Sequence, residues 1–187
     1  DRGVALDGWV NAQLSEVKVN SAELGFDFTG KDKENFIHSV GTSCSTNGNP
    51  VYYYTSVSGQ RFTHPEAGML ILADTVDCII ENSDLSGNDG ILVAYSSGTV
   101  ISHCRLNRTR YGLKVIRSQE LSVENTVISC DADRPGNLRI NGSSISAFDS
   151  RFSASTGKTA VVGRGSSALD MYNSTYDSLD VESDGGA

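Results

Sequence analysis

The feature that most constrains this chain is a polar residue that recurs every 21 to 24 positions through its second half. Each occurrence is followed by a small residue, and a large residue stands two positions further on. The recurring residues are Asn82, His103, Asn125, Asp149 and Asn173. A repeat of this length is typical of one rung of a solenoid, in which neighbouring rungs stack and complete each other's core.

The residues before each recurring position alternate as in a β-strand with one buried face. Two and four positions before it the residues are mostly apolar, whereas those between are mixed and often polar, as at Glu81 and Glu124. The column two positions before contains Ile80, Ile101, Val123, Ala147 and Met171. Asn and Asp suit the recurring position because they tolerate the left-handed backbone conformation and bond locally.

A further apolar strand follows each segment of variable length, at residues 70–72, 91–93, 113–115, 138–140 and 160–162. Each repeat therefore holds three short strands, a tight corner and a variable loop. This pattern predicts an all-β fold, a single-stranded right-handed parallel β-helix of about seven to eight rungs. The alternative is an antiparallel β-sandwich, which does not explain why the columns persist along the chain.

Before residue 68 the rhythm is looser, with strand-like stretches at residues 17–19, 25–28, 36–40 and 51–55. We interpret residues 1–187 as one β-helix domain, irregular over 1–67 and regular over 68–187, which is long enough to bury a core. The start has no signal-peptide character, and no apolar run reaches membrane-spanning length. The abrupt ends predict a fragment of a longer chain.

Charge is unevenly distributed along a chain whose formal net charge is −8. Residues 1–104 carry 5 basic and 13 acidic side chains, residues 105–164 carry 10 and 5, and residues 165–187 carry 0 and 5. The central section is either an ordinary solvated surface or a surface that attracts an anionic polymer. Nucleic acid is disfavoured, because the chain is acidic overall and lacks a recognition motif. The central cations include Arg105, Arg108, Arg110, Lys114, Arg117, Arg134 and Arg139.

The cysteines and histidines predict core packing rather than chemistry. Cys44, Cys78, Cys104 and Cys130 form no CxxC pair, and Cys78 and Cys104 fall in different inward columns, so no disulfide or zinc site is expected. The three histidines are far apart in sequence, which favours neither a metal site nor a triad. The tyrosines at residues 52–54 are expected to pack at the edge of the helix rather than to stack on sugar.

Three N-terminal stretches carry a resemblance to a known superfamily. Residues 24–30 read LGFDFTG, residues 34–40 read ENFIHSV, and residues 44–48 read CSTNG. In these the chain resembles the pectin-lyase-like right-handed parallel β-helix superfamily, and within it the β-helices of phage tailspikes and tail fibres. The resemblance implies a cell-surface or extracellular polysaccharide as partner, while the acidic charge and the lack of a long apolar run predict no nucleic acid or membrane partner. It also implies an extracellular or virion location and a homotrimer of solenoids side by side.

In that superfamily the ligand groove commonly runs along the strand after the variable loop. The resemblance places Lys114 and Arg139 outward on successive rungs, about 4.8 Å apart, with Tyr95 and Arg117 just beyond their strands. Two cations this close favour an acidic ligand beside them, although long side chains that merely cover apolar surface are the alternative. Arg110 with Tyr111 is also predicted to pair with sugar acids. The other outward residues expected on this face are Ile71, Ala73, Leu92, Ala94, Ile116 and Asn141.

No catalytic pair is identified. Glycoside hydrolysis needs two carboxyl groups, roughly 5 to 10 Å apart, and this face has no column of acids. The candidate acids are Asp74 and Asp77 at one edge, and Asp84 and Asp89 in the loop after Asn82. No cofactor is expected; the one metal alternative is Ca²⁺ held by Asp84, Asn88 and Asp89, which competes with simple turn chemistry.

Three functional hypotheses follow from these observations. The first is recognition of an acidic polysaccharide by a β-helix domain of a phage tailspike or fibre-like receptor-binding protein. The second is a polysaccharide lyase or glycoside hydrolase, and the third is a structural solenoid that spaces other domains. Fold alone does not decide among them, because one fold hosts many activities.

Overall fold

The computed structural model describes residues 2–20, 24–109, 112–130, 138–153, 161–177 and 179–182. It consists of short strands, numbered β1 to β23 in chain order, and one short 3₁₀ helix at Lys33–Phe36. Consecutive rungs pair strand on strand in parallel, so the predicted parallel β-helix is confirmed, with about seven rungs. The antiparallel sandwich is excluded by this pairing.

Three sheets form the sides of the solenoid. The nine-stranded sheet contains β3 (Lys18–Val19), β6 (Ser45–Thr46), β7 (Asn49–Thr55), β9 (Met69–Ala73), β11 (Gly90–Ala94), β14 (Leu113–Ile116), β17 (Leu138–Asn141), β20 (Val161–Arg164) and β23 (Leu179–Glu182). The six-stranded sheet contains β8 (Arg61–Thr63), β10 (Ile79–Glu81), β12 (Val100–Ser102), β15 (Leu121–Glu124), β18 (Ser144–Phe148) and β21 (Ala168–Tyr172). The four-stranded sheet contains β13 (Arg105–Thr109), β16 (Val127–Cys130), β19 (Arg151–Ser153) and β22 (Thr175–Tyr176).

The predicted columns are real neighbours in the stack. Ile80 pairs with Ile101, Ile101 with Val123, and the same column continues through Ala147 to Met171. The five recurring polar residues occupy one corner with φ between 46° and 52°. Left-handed backbone at a non-glycine residue is uncommon, and Asn and Asp adopt it more readily than other side chains, which explains the recurrence.

The small residue after each corner supplies a hydroxyl ladder along the stack. The Cys104 N–H donates to Thr126 Oγ1 at 3.2 Å, and Thr126 Oγ1 in turn donates to Glu124 O at 2.8 Å. A matching ladder follows the nine-stranded sheet, where the Ser96 N–H donates to Ser118 Oγ at 3.1 Å. These hydroxyls satisfy buried backbone groups that the strands do not pair, since unpaired buried donors are costly.

Aromatic rings close the interior at the first rung of the solenoid. Tyr52 stacks on His64 with ring centroids 3.7 Å apart, and Tyr54 stacks on Phe62 at 3.9 Å. The rings of Tyr52, Tyr54 and Phe62 all pack on the core. The expectation that these tyrosines pack at the edge of the helix is confirmed for Tyr52 and Tyr54. Tyr53 points to the opposite side of its strand, where its hydroxyl donates to Phe36 O at 2.8 Å.

Residues 2–20 and 24–46 form a small unit of two coils, which we call the N-terminal unit. Its strands pair in parallel, β1 (Arg2–Asp7) with β4 (Leu24–Thr29), β2 (Gln13–Leu14) with β5 (Ser39–Val40), and β3 with β6. The chain then reverses, because β6 pairs antiparallel with β7 across Asn47 and Gly48. Their φ values of 50° and 84° are those of a type I′ hairpin turn. We expected these strands to continue the stack, and instead the reversal lays them against its side.

The surroundings of His38 predict that the stability of the N-terminal unit depends on pH. It is buried, its Nδ1 accepts a hydrogen bond from the Ala12 N–H at 3.2 Å, and its Nε2 lies 2.9 Å from Asn35 O. These contacts require a neutral ring with the proton on Nε2, and burial lowers the pKa of His38 despite the opposing Asn35 carbonyl. As the pH drops below about 6.5, His38 takes up a proton more readily in the unfolded chain than in the folded chain, so the free energy of unfolding is expected to fall.

We expect urea unfolding midpoints to fall between about pH 7.5 and about pH 5, and to fall less in the His38→Gln variant, which keeps hydrogen-bonding capacity but does not titrate. The comparison with the variant cancels the contribution of other groups, including His64, whose pKa is also lowered by burial. An identical pH dependence in both proteins would contradict this role for His38.

Candidate functional site

The outer face of the nine-stranded sheet is the face on which the sequence places a ligand groove. Over its first rungs this face is covered, because Phe26, Phe28 and Phe36 of the N-terminal unit pack against it and are fully buried. The expectation that this part of the sheet is an open groove is therefore wrong. The outward residues buried there are Met69, Ile71, Ala73, Leu92, Ala94 and Ile116.

A buried carboxylate holds the N-terminal unit in place. Asp89 is fully buried, and its two oxygens accept hydrogen bonds from the backbone N–H groups of Gly25 and Phe26 at 3.0 and 3.1 Å. Gly25 fits because a Cβ there would lie 2.4 Å from an Asp89 oxygen and 2.3 Å from Thr46 Oγ1. The local geometry thus gives Asp89 a structural role.

Lys114 and Arg139 are adjacent outward residues on β14 and β17, as the columns predict. Lys114 lies at the margin of the N-terminal unit, with its ammonium 3.7 Å from an Asp27 carboxylate oxygen and 3.4 Å from Phe28 O. Its side chain is 17% exposed, so it is not a groove residue open to solvent. Arg139 is half-buried one rung further on. The binding roles of both residues stay predictions.

Arg117 and Tyr95 meet at the corner that follows the nine-stranded sheet. Both have left-handed backbone, with φ of 45° and 52°, which turns their side chains out of the strands. The Arg117 guanidinium carbon lies 5.8 Å from the centre of the Tyr95 ring, a cation–π distance. The Tyr95 ring packs at 5.6 Å on Phe36, and its hydroxyl donates to Lys31 O, so the N-terminal unit fixes its orientation.

Beyond the N-terminal unit the outer face carries cations on three successive rungs. Arg117 and Arg164 are exposed and Arg139 is half-buried; we call these three residues the cationic patch. Asn141 and Arg164 pair in register on β17 and β20, and Arg164 is a patch residue that the sequence analysis did not select. Arg110 and Tyr111, also predicted to bind ligand, lie outside the described residues.

The four candidate acids have separate positions. Asp74 pairs with Lys33 at 3.2 Å and accepts a hydrogen bond from Ser56 Oγ. Asp77 occupies a different left-handed corner, with φ of 53°, and Asp84 accepts from the Ser86 N–H in a local turn. Asp89 is buried under the N-terminal unit. In the described part of the chain, these contacts bring no two of the four carboxylates together as a catalytic pair. A catalytic role therefore stays unassigned.

The calcium alternative has little local support. Asp89 already accepts two backbone hydrogen bonds, and the Asn88 amide donates to Ser86 O. Within the described part of the chain no three His, Cys, Asp or Glu side chains gather as a metal site.

Cys78 and Cys104 are buried free thiols, and burial raises the pKa of Cys104 to about 11, which fits core packing.

Sequence reasoning missed an exposed aromatic pair. Phe148 and Tyr172 stand in one outward column of the six-stranded sheet, with ring centroids 4.9 Å apart and planes 8° from parallel. The signal was present, because both residues immediately precede the recurring polar position, where earlier rungs carry Glu81, Ser102 and Glu124.

Comparison with known proteins places the chain in a family. A family model described as the right-handed beta helix region matches residues 2–176, nearly the whole chain. Searches of curated proteins and of solved structures gave no match. Within the described ranges, no helix has the length and apolar character needed to cross a membrane. The fold is consistent with a carbohydrate-related function in general, and the chain belongs to the right-handed β-helix family.

Proposed function

We propose that this β-helix recognises an acidic polysaccharide through the cationic patch. The observation that supports the proposal most is the exposed Arg117 guanidinium over the Tyr95 ring, followed by Arg139 and Arg164 on the next two rungs. Arginine forms two-pronged hydrogen bonds to carboxylates, and a tyrosine ring offers a flat amphipathic surface beside it.

The regular spacing of the rungs suits a regular polymer. Strands in neighbouring rungs lie about 4.8 Å apart, and the three cations lie on successive rungs but in different columns, so they are staggered across this face. A linear chain of acidic sugars that runs along the solenoid meets one cation in each rung. The patch is bounded on one side by the N-terminal unit and, among the described strands, on the other by β23, which pairs in parallel with β20.

The biological setting we propose is a phage tailspike or fibre-like receptor-binding protein, extracellular or on the virion, that engages a cell-surface polysaccharide as a homotrimer. This part of the proposal rests on the resemblance of residues 24–48 to such β-helices. A polysaccharide-cleaving enzyme and a structural spacer are the competing functions, and the experiment below separates all three.

We expect the Arg117→Ala/Arg139→Ala variant to bind an acidic polysaccharide about tenfold more weakly than the unchanged protein at low ionic strength. The difference in affinity should shrink at high salt, because exposed charges are screened. Affinity electrophoresis against a panel of acidic polysaccharides measures the effect. Arg61→Ala is the matched control, because Arg61 is exposed on the six-stranded sheet and pairs with Glu81.

Released reducing ends or the absorbance of unsaturated uronates during the same incubation would show an enzyme instead. Absence of binding by the unchanged protein to every polysaccharide would favour the spacer and overturn the proposal. Lys114→Ala is a poor test of binding, since it also removes the cation beside the buried Asp27.

A further inference from the structure

Phe148 and Tyr172 form an exposed stack on a face of the solenoid away from the cationic patch. They are the last two members of an outward column whose earlier members are Thr63, Glu81, Ser102 and Glu124. The two residues are 38% and 55% exposed, although the ring of each is large and apolar. The column of this six-stranded sheet thus changes from four polar residues to two aromatic residues at one end.

Among the described residues, Phe148 is the one aromatic ring stacked on Tyr172, which stays 55% exposed. Phe148 lies between Glu124 and Tyr172 in the column, so Tyr172 covers one of its faces. Tyr172 belongs to β21, the terminal strand of the six-stranded sheet, and one of its faces packs on Phe148. The second face of the Tyr172 ring points away from the stack, beyond the last described strand of that sheet.

Polar groups surround the stack on both sides. The corner residues Asp149 and Asn173 follow the two rings directly, and the Asn173 amide donates to the Asp149 carboxylate. Past the corner, the exposed Arg151 pairs in register with Thr175. On the other side of the rings, Ser146 pairs in register with the exposed Asp170.

A flat apolar surface with a polar rim fits a pyranose ring better than it fits a protein partner. A sugar presents C–H groups on one face, which pack on the electron-rich face of an aromatic ring, and hydroxyl groups around its edge, which need donors and acceptors. A stable protein interface buries about 800 Å² on each partner with an apolar centre. Two rings between charged residues are a small centre for such an interface.

We infer that the Phe148–Tyr172 stack is a second carbohydrate-binding site, a platform on which one sugar ring of a polysaccharide packs against Tyr172. The hydroxyl groups of that sugar donate hydrogen bonds to Asp149, accept them from Arg151, and do either with the Asn173 amide. The inference rests on the proposed polysaccharide-binding function and adds a contact that does not depend on ligand charge, so neutral sugar units of the polymer bind there.

The test compares the Phe148→Ala/Tyr172→Ala variant with the unchanged protein in affinity electrophoresis and in saturation-transfer NMR with oligosaccharides. We expect about tenfold weaker binding, with little dependence on salt, and loss of the transfer signal. Tyr172→Phe keeps the ring and is expected to bind within about twofold. Val127→Ala is the matched control, because Val127 is also exposed but lies on the four-stranded sheet.

The outcomes distinguish this inference from the proposed function. Binding that is weakened by loss of the cationic patch but unchanged by loss of both rings overturns the platform and leaves the proposed function standing. Failure of the unchanged protein to bind any polysaccharide or to show transfer from any oligosaccharide overturns both. Self-association of the unchanged protein in sedimentation, abolished in the double variant, would mean that the rings contact a second copy and not a sugar.

Discussion

Replacing Gly90 with alanine is expected to destabilise the solenoid by about 3 kcal/mol or more. Gly90 begins β11 with φ of 110°, a conformation that side chains with a Cβ rarely adopt. A Cβ at this position would lie 2.3 Å from the carbonyl oxygen of Gly112 in the next rung. That carbonyl accepts the Ile91 N–H at 2.8 Å, so relief of the clash requires separation of two stacked rungs.

Urea unfolding followed by circular dichroism measures the loss, with Gly163→Ala as the control. Gly163 also lies in the nine-stranded sheet, its φ is in the ordinary range, and nothing lies within 4 Å of an added Cβ. We expect the control to change stability by no more than about 0.5 kcal/mol. Equal unfolding midpoints for the two variants would show that the contact between these rungs does not limit stability.

The stacking of the regular rungs was predictable because it depends on two local regularities. The period of the corner residues sets the length of a rung, and the alternation around residues such as Ile80 and Ile101 decides which side chains face inward. Once both are known, the register follows without long-range information. This is why the pairing of Lys114 with Arg139 could be predicted while the surroundings of Lys114 could not.

Coverage of the outer face depends on contacts between distant parts of the chain. Two sequence signals for it were available. Residues 69–73 and 90–94 lack the alternation of a half-exposed strand, and a continuous apolar strand is typical of a sheet buried on both faces. Asn47-Gly48 is a strong signal for a two-residue hairpin, which reverses the chain where a stacked solenoid would continue.

The residues of one outward column of the nine-stranded sheet show where the N-terminal unit stops covering this face. Ile71 and Leu92 lie under the N-terminal unit, Lys114 lies at its margin beside Asp27, and Arg139 follows beyond it. The column therefore changes from apolar to cationic side chains at the margin of the N-terminal unit, and its next member, Val162, is again apolar and buried. A polymer that runs along this face has the exposed corner at Arg117 and the strands from β17 onward available, which places the proposed contact beside the rim of the N-terminal unit.

The role of Asp89 as an anchor for that unit gives the second large prediction. Replacement by alanine leaves the buried N–H groups of Gly25 and Phe26 without their acceptor. An unsatisfied buried donor costs about 1 to 3 kcal/mol, so the expected loss is about 2 to 6 kcal/mol for the pair. Asp89→Asn keeps one acceptor oxygen and is expected to lose less. Asp84→Ala is the control, because among the described residues its carboxylate accepts the Ser86 N–H in a local turn.

The loss is expected first in the N-terminal unit, since its coils are joined to the rest of the chain by the single connection at Asn47 and Gly48. Limited proteolysis should cut residues 2–46 of Asp89→Ala at a protease concentration that leaves the unchanged protein and Asp84→Ala intact. Hydrogen exchange should rise in β4 and in β9 and β11, whose outer faces the N-terminal unit covers, while β16 and β19 stay protected. Protection that is lost evenly along the chain would mean that Asp89 stabilises the whole solenoid, and an unchanged cleavage pattern would mean that aromatic packing alone holds the unit against the sheet.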